Sequence, residues 1–238
     1  MRYLEAPSFV NKTYNHHFDS VDGENLEGFI ILISRIIDFK SPFTATHSST
    51  VAACAESIAK YLRFGEHELK MIKYAGYVHD LGKLAIPTEI IGKPAALSKE
   101  EFSLIRSHTY HTHRVLSKIA GFETITTWGA LHHEKLNGKG YPFGLKDEEI
   151  PLGARIMAVA DIFTAIREKR AYRDPMTKED TINVLVNMAN AYEIDEKIVK
   201  IVKDNFHEID MVREKAYKDT ILEYEKFTQQ FEKFKKVS

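Results

Sequence analysis

The chain has 238 residues, with 33 Lys and Arg against 34 Asp and Glu and a formal net charge of −1 at pH 7. That balance lacks the basic stripe of a protein that coats DNA or RNA, while 44% hydrophobic residues suffice for a sizeable core. One cysteine, Cys54, excludes an intrachain disulfide and makes a reducing compartment the default; within the small-residue stretch VAACAESIA it reads as a buried apolar side chain.

The N-terminal MRYLEAPSFV has no apolar h-region of a signal peptide. The longest apolar run, FIILI at 29–33, falls far short of the roughly 20 residues of a membrane span, so a soluble, cytoplasmic protein without membrane association is expected. Residues 1–23 are polar and irregular and read as an arm. ENLEGFIILISRIIDF (24–39) predicts a first helix, broken by SPF at 41–43. THSSTVAACAESIAKYL (46–62) predicts a second, closed by Gly65, and EHELKMIKYAGYVHDLG (66–82) a third that ends at Gly82. Ser98 and Glu101 have capping-box spacing at the start of a helix over 98–119. Further helices are predicted over 123–136, 152–170, 177–189 and 195–206, with a Gly- and Pro-rich loop at 137–151. In the charged tail, Tyr217, Ile221, Tyr224, Phe227, Phe231 and Phe234 recur in steps of three and four, one helical stripe. Such a stripe packs on its own domain or on a coiled-coil partner. No strand pattern, repeat or low-complexity segment is present. The expected fold is all-α: an arm over 1–23, one helical bundle over 24–206 and an amphipathic helical extension over 207–238.

Two segments carry adjacent strong ligands: His79-Asp80 in GYVHDLGKLAIP (76–87) and His132-His133 in LHHEKLNGKGYPFG (131–144). Neighbouring residues on a helix point about 100° apart, so such a pair suits something wider than one atom. The chain has 11 histidines. His16, His17, His67 and His207 read as exposed or capping residues. His47, His79, His108, His111, His113, His132 and His133 fall in helices or at helix ends. A lone helical histidine is more often structural, and the case rests on the set. Asp80, with histidines around it from several helices, is a natural bridging carboxylate that offers one oxygen to each of two metals. Imidazole and carboxylate together suit iron, manganese or zinc, and a set without cysteine disfavours a structural zinc finger.

HDLGK (79–83) resembles the defining motif of the HD superfamily of metal-dependent phosphohydrolases, and HHEKLNGKGYP (132–142) resembles the HHExxxGxGYP signature of its HD-GYP subfamily. THSSTVA, IRSHTYHTHRVL, ARIMAVADIFTAI and RAYRDPMT lie in matching order, so the resemblance covers roughly residues 28–205. It implies an HD-type helical bundle and a metal set of seven residues. His47, His79 and Asp161 would serve one ion, His108, His132 and His133 the other, with Asp80 bridging, and iron or manganese as the metals. Some members take a third metal on a glutamate four residues before the first histidine; Phe43 stands there, so two metals are expected. His111 and His113 lie outside the pattern; structural or solvent-facing roles are expected, with a supporting place behind the ligands as the alternative for His111, three residues from His108 on the same helical face.

The resemblance also implies the activity: hydrolysis of a cyclic dinucleotide, foremost cyclic di-GMP, to a linear dinucleotide and onward to GMP, by a hydroxide bridging two metals. Two ions roughly 3.5–4 Å apart activate water and clamp a phosphate, so no protein nucleophile is required. Charge that builds on phosphoryl oxygens calls for fixed cations. Lys83, three residues past Asp80, is the first candidate, and Asp80 and Lys83 are the expected catalytic residues. Arg170 and Arg173 match the family's substrate-phosphate residues, and Tyr141 is the expected contact from the glycine-rich loop, which would also receive a signalling-protein partner. Glu134 is a candidate to orient a ligand or accept a proton. The first or last helix offers a homodimer surface. The alternatives are an HD phosphohydrolase of another nucleotide or of mixed cyclic GMP–AMP, and a catalytically silent signalling adaptor. No segment resembles the receiver or sensory domain that the family commonly carries, which leaves a chain that stands alone or a piece of a longer protein.

Overall fold

The computed structural model of the chain describes residues 23–40, 46–93, 95–169 and 174–237. Eleven α-helices occupy most of these residues: α1 (Gly23–Lys40), α2 (His47–Tyr61), α3 (Glu66–Val78), α4 (Thr88–Ile91), α5 (Lys99–Arg106), α6 (His108–Leu116), α7 (Glu123–Ala130), α8 (Leu152–Arg167), α9 (Lys178–Asn190), α10 (Glu196–Asp204) and α11 (Phe206–Val237). Short 3-10 turns lie at Leu81–Ala85 and Asp147–Glu149. The β pairing among the described residues is one isolated bridge, Asn137 to Lys146, as the all-α expectation requires. No helix of the described residues is long and apolar enough to cross a membrane. Residues 1–22, Phe43, Arg170 and Arg173 lie outside the described residues.

Helix α2 occupies the middle of the bundle. Val51, Ala52, Cys54, Ala55, Ile58 and Ala59 are all fully buried, because α3, α8 and α11 each pack against it. Small side chains make this possible. A Cβ on Gly76 of α3 would lie 2.5 Å from the Ala52 Cα, so glycine is what allows the two backbones to approach. Burial pushes the Cys54 thiol up to about 12, an inert core group. Around α2, one apolar cluster joins Ile30, Ile72, Ile125, Ile156, Phe163, Ile198 and Ile209 from α1, α3, α7, α8, α10 and α11. A second, smaller cluster of Leu131, Leu136, Leu145, Ile150 and Ala154 lies under the 137–151 loop, which therefore folds over a core of its own.

Several predicted helices overrun the observed ones. α3 stops at Val78 rather than Gly82, α7 at Ala130 rather than 136, and α8 at Arg167 rather than 170. The predicted helix over 98–119 is two helices, separated at Ser107, whose hydroxyl donates to the Leu104 carbonyl at 2.6 Å and competes with the backbone ladder there. α4, between Pro87 and Gly92, is too short to show periodicity.

The tail stripe is met in part, with Ile221 and Tyr224 half-buried. α11 buries Phe206, Ile209, Arg213 and Thr220, whereas Tyr217 is 44% exposed. The packing face is set by polar pairing: Asp210 receives Arg167 at 2.6 Å and Arg213 at 2.7 Å, which satisfies a buried arginine that hydropathy alone places outside. The side chains of Phe227, Phe231 and Phe234 lie outside the described residues.

A Cβ on Gly82 would sit 1.8 Å from the His108 carbonyl oxygen and 2.7 Å from the Thr112 nitrogen. Gly82→Ala is therefore expected to destabilise the protein by about 2–4 kcal/mol, read as a lowered midpoint in thermal unfolding followed by circular dichroism. Gly28→Ala, with open space around the new methyl, is expected to be neutral or to stabilise by up to about 1 kcal/mol.

Candidate metal centre

The overrun helix ends share a physical cause. The last carbonyls of a helix have no intrahelical partner. Three histidines follow such ends and use their Nδ1 to take one: His79 on Gly76 O at 2.8 Å, His108 on Ile105 O at 2.7 Å and His132 on Gly129 O at 2.6 Å. Each imidazole is thus held with its Nδ1–H on a carbonyl, and Nε2 is left as the electron-pair donor. All three Nε2 atoms point inward. The 100° spacing of a continuous helix does not govern either ligand pair, because both stand where a helix has ended.

At the centre stands Asp80, buried at 3% exposure. His79 Nε2 lies 3.3 Å from its Oδ2, and His108 Nε2 lies 3.3 Å from its Oδ1, so each carboxylate oxygen faces a different histidine. His47 Nε2 is 3.0 Å from Asp161 Oδ1 and 4.0 Å from Asp80 Oδ2, and Asp161 Oδ1 is 3.9 Å from His79 Nε2. On the other side His108 and His132 place their Nε2 atoms 3.5 Å apart, and the His132 and His133 rings stack at 4.0 Å. The donor atoms form two groups, His47–His79–Asp80 and His108–His132–His133, each drawn within 4.8 Å and each able to hold a metal ion. The seven residues singled out by sequence lie together, drawn from α2, the turn after α3, α6, the turn after α7, and α8.

The donor set fits divalent cations. His79 Nε2 and Asp80 Oδ1 are buried and make no hydrogen bond, a costly arrangement for polar atoms unless another partner takes them. The protonation of His132, His133, Asp80 and Asp161 suits a metal as well; against burial, Glu168 and Asp161 raise His47 well above the usual imidazole range, so it would release a proton to bind one. Burial pushes His132 well below the usual imidazole range and His133 down to about 3, each reinforced by neighbouring histidines. Burial would raise Asp80, but the Lys83 ammonium above all holds it well below the usual carboxylate range; Asp161 is likewise held low against burial, by His47 above all.

Around these donors stand groups that motif reading missed. Glu168, just past the end of α8, is buried and places both carboxylate oxygens on His47 Nδ1, at 3.2 and 3.3 Å. Thr112 accepts the Gly82 N–H at 2.8 Å and donates to the His79 carbonyl at 2.9 Å, fastening the HDLGK turn to α6. Arg106 sets its guanidinium over the Tyr141 ring at 4.4 Å, and that ring lies 4.8 Å from His133. No spacing rule marks these residues, since each meets its partner only after the chain folds. Lys83 stands 2.5 Å from Asp80 Oδ2. Glu134 shapes the glycine-rich loop, because its carboxylate accepts the backbone N–H of Phe143, Gly144 and Leu145 at 2.6, 3.1 and 3.0 Å. His111 and His113 are half-buried, against Tyr110 and Phe143 respectively, and belong to neither donor group.

A family model described as HD domain matches residues 32–198. The chain belongs to the HD domain family. This HD domain is 30% identical over 220 residues to 3'3'-cGAMP-specific phosphodiesterase 1 of Vibrio cholerae, covering 86% of the chain and 51% of that protein. It is 31% identical over 202 residues to a cyclic di-GMP phosphodiesterase of Thermotoga maritima, covering 82% of the chain and 54% of the relative. The chain thus spans about half the length of these curated relatives. Among solved structures, Bd1817, an HDG"Y"P protein from Bdellovibrio bacteriovorus, shares the fold with a TM-score of 0.60 at 15% identity, over 78% of this chain and 65% of that one.

Beneath the centre, Asp38 of α1 is 1% exposed and accepts the Ser48 hydroxyl at 2.8 Å. Burial raises its carboxyl to about 6 against the pull of Ser48. The folded state therefore favours the protonated form, and the stability this confers is present below the unfolded value near 4 and lost as pH rises through about 6. In metal-free protein, Asp38→Asn is expected to match the wild type below pH ~4 and to exceed it at pH 7 by on the order of 3 kcal/mol, measured by urea unfolding across pH. Glu134→Ala leaves three loop amides without their acceptor, and is expected to lower stability by about 2–4 kcal/mol and speed proteolytic cleavage within 137–146.

Proposed function

We propose that this HD domain hydrolyses a phosphodiester bond of a cyclic dinucleotide, foremost cyclic di-GMP, at a centre of two divalent ions, iron or manganese. The observation that carries this reading is the arrangement around Asp80: two donor groups on either side of one buried carboxylate whose oxygens face different histidines. His47, His79 and Asp161 would hold one ion, His108, His132 and His133 the other, with Asp80 shared. When bound, such a pair makes water acidic enough to supply hydroxide near neutral pH and neutralises charge that builds on a phosphoryl group.

The chain's own residues supply the rest. Lys83 keeps an ammonium beside Asp80, a fixed cation for the phosphoryl oxygens. Tyr141, half-buried beside His133, offers an aromatic face to a base or ribose at the mouth of the centre. Arg170 and Arg173 remain candidates for the second phosphate. Both relatives compared above bear cyclic-dinucleotide phosphodiesterase names, which supports the substrate class. The name of the Vibrio cholerae relative favours 3'3'-cGAMP as the second reading. The exposed Phe29, Leu32 and Ile36 on α1 favour that helix for a homodimer.

The test is turnover by anaerobically purified protein supplied with Fe(II) or Mn(II), with cyclic di-GMP and 3'3'-cGAMP side by side. Faster cleavage of cyclic di-GMP is expected; the reverse order selects the second reading, and no turnover of either ring sinks both. Asp80→Ala is expected to lose both metals and all activity. Lys83→Ala should keep both metals while kcat falls roughly 10²–10³-fold, by metal quantification and product chromatography.

A further inference from the structure

The histidines of the centre are not supported alike. His79, His108 and His132 each rest their Nδ1 on a neutral carbonyl three residues back. His47 rests on a charged group, Glu168, which arrives from 121 residues along the chain. The Glu168 carboxylate is 8% exposed and lies within 3.2 Å of the Thr50 hydroxyl. The Glu168 backbone N–H donates to the Thr164 carbonyl at 3.0 Å. The preceding residue, Arg167, pairs with Asp210 of α11 at 2.6 Å, and Asp210 in turn holds Arg213.

A carboxylate behind an imidazole fixes its tautomer and ring orientation and raises its strength as a donor. It also adds negative charge in a region where water screens poorly. The two halves of the centre therefore differ in charge. The half with His47 and His79 has Asp161 in direct reach and Glu168 behind. Among the described residues, the half with His108, His132 and His133 has its share of Asp80, feels Asp161 without a direct bond, and has neutral carbonyls behind His108 and His132. We propose that Glu168 is a positioning residue that acts through His47 and makes the His47–His79–Asp161 half the tighter of the two metal positions. This rests on the two-metal reading above.

The experiment is titration of the metal-free protein with Mn(II), followed by calorimetry and by the electron paramagnetic resonance of unbound Mn(II). It needs no substrate. The wild type is expected to bind in two steps of unequal affinity. Glu168→Gln keeps the shape and loses the charge, and should weaken the tight step about 10–100-fold while leaving the weaker step in place. Glu168→Ala should weaken it at least as much, and Glu168→Asp should restore part of it. His133→Ala should remove the weaker step and spare the tight one, which assigns the steps to the halves. Thermal unfolding of each metal-free variant checks the fold, and if Glu168→Ala does not fold, the Gln and Asp variants carry the comparison. An unchanged tight step in Glu168→Gln, equal weakening of both steps, or two identical wild-type steps would overturn the proposal. Fewer than two Mn(II) bound by the wild type would overturn the two-metal reading along with it.

Discussion

A carboxylate shut away from water is unstable unless opposite charge or strong donors surround it, and Asp80 is such a group. Lys83 closes on its Oδ2, and the Nε2 atoms of His79 and His108 face its two oxygens, an arrangement of electron-pair donors that a cation between them would satisfy. Meeting that demand requires helix ends from distant parts of the chain to reach one point. The bundle is arranged accordingly: α2 is buried on nearly every side, and small residues such as Gly76 and Gly82 let neighbouring backbones come close enough for the imidazoles to meet.

The centre is built largely from the ends of helices rather than from their faces. An imidazole that caps an orphan carbonyl does two things at once. It satisfies a backbone group that would otherwise be buried without a partner, and it aims the opposite nitrogen at the centre. His79, His108 and His132 all follow this scheme, so fold stability and ligand orientation depend on the same hydrogen bonds. His47 is the first residue of α2, ahead of that helix's own free carbonyls, and takes a side-chain carboxylate instead.

The outer layer ties this centre to the rest of the molecule. The 137–151 loop is held by its own apolar cluster and by Glu134, which brings Tyr141 against His133 and under Arg106. At the far side, Arg167, Asp210 and Arg213 join the end of α8 to α11. That network explains why α11 turns a buried arginine inward and leaves Tyr217 in solvent. A stripe chosen by apolar spacing alone overlooks a charge pair that forms across two elements.

Local pattern determined much about this protein. Helical periodicity set the order of the long helices, and the family resemblance carried by HDLGK, HHEKLNGKGYP and the segments in matching order singled out seven residues that lie together in the fold. Those features are legible because they depend on residues a few positions apart. Only the tertiary structure decided where the helices end, because the terminating bonds at His79, His108 and His132 serve a shared centre rather than a local preference. It also decided the roles of Glu134 on the loop amides, of Thr112 across the HDLGK turn and of Glu168 behind His47. These groups face partners that arrive from elsewhere in the chain, and a buried polar group is defined by the partner that satisfies it, which no stretch of sequence contains.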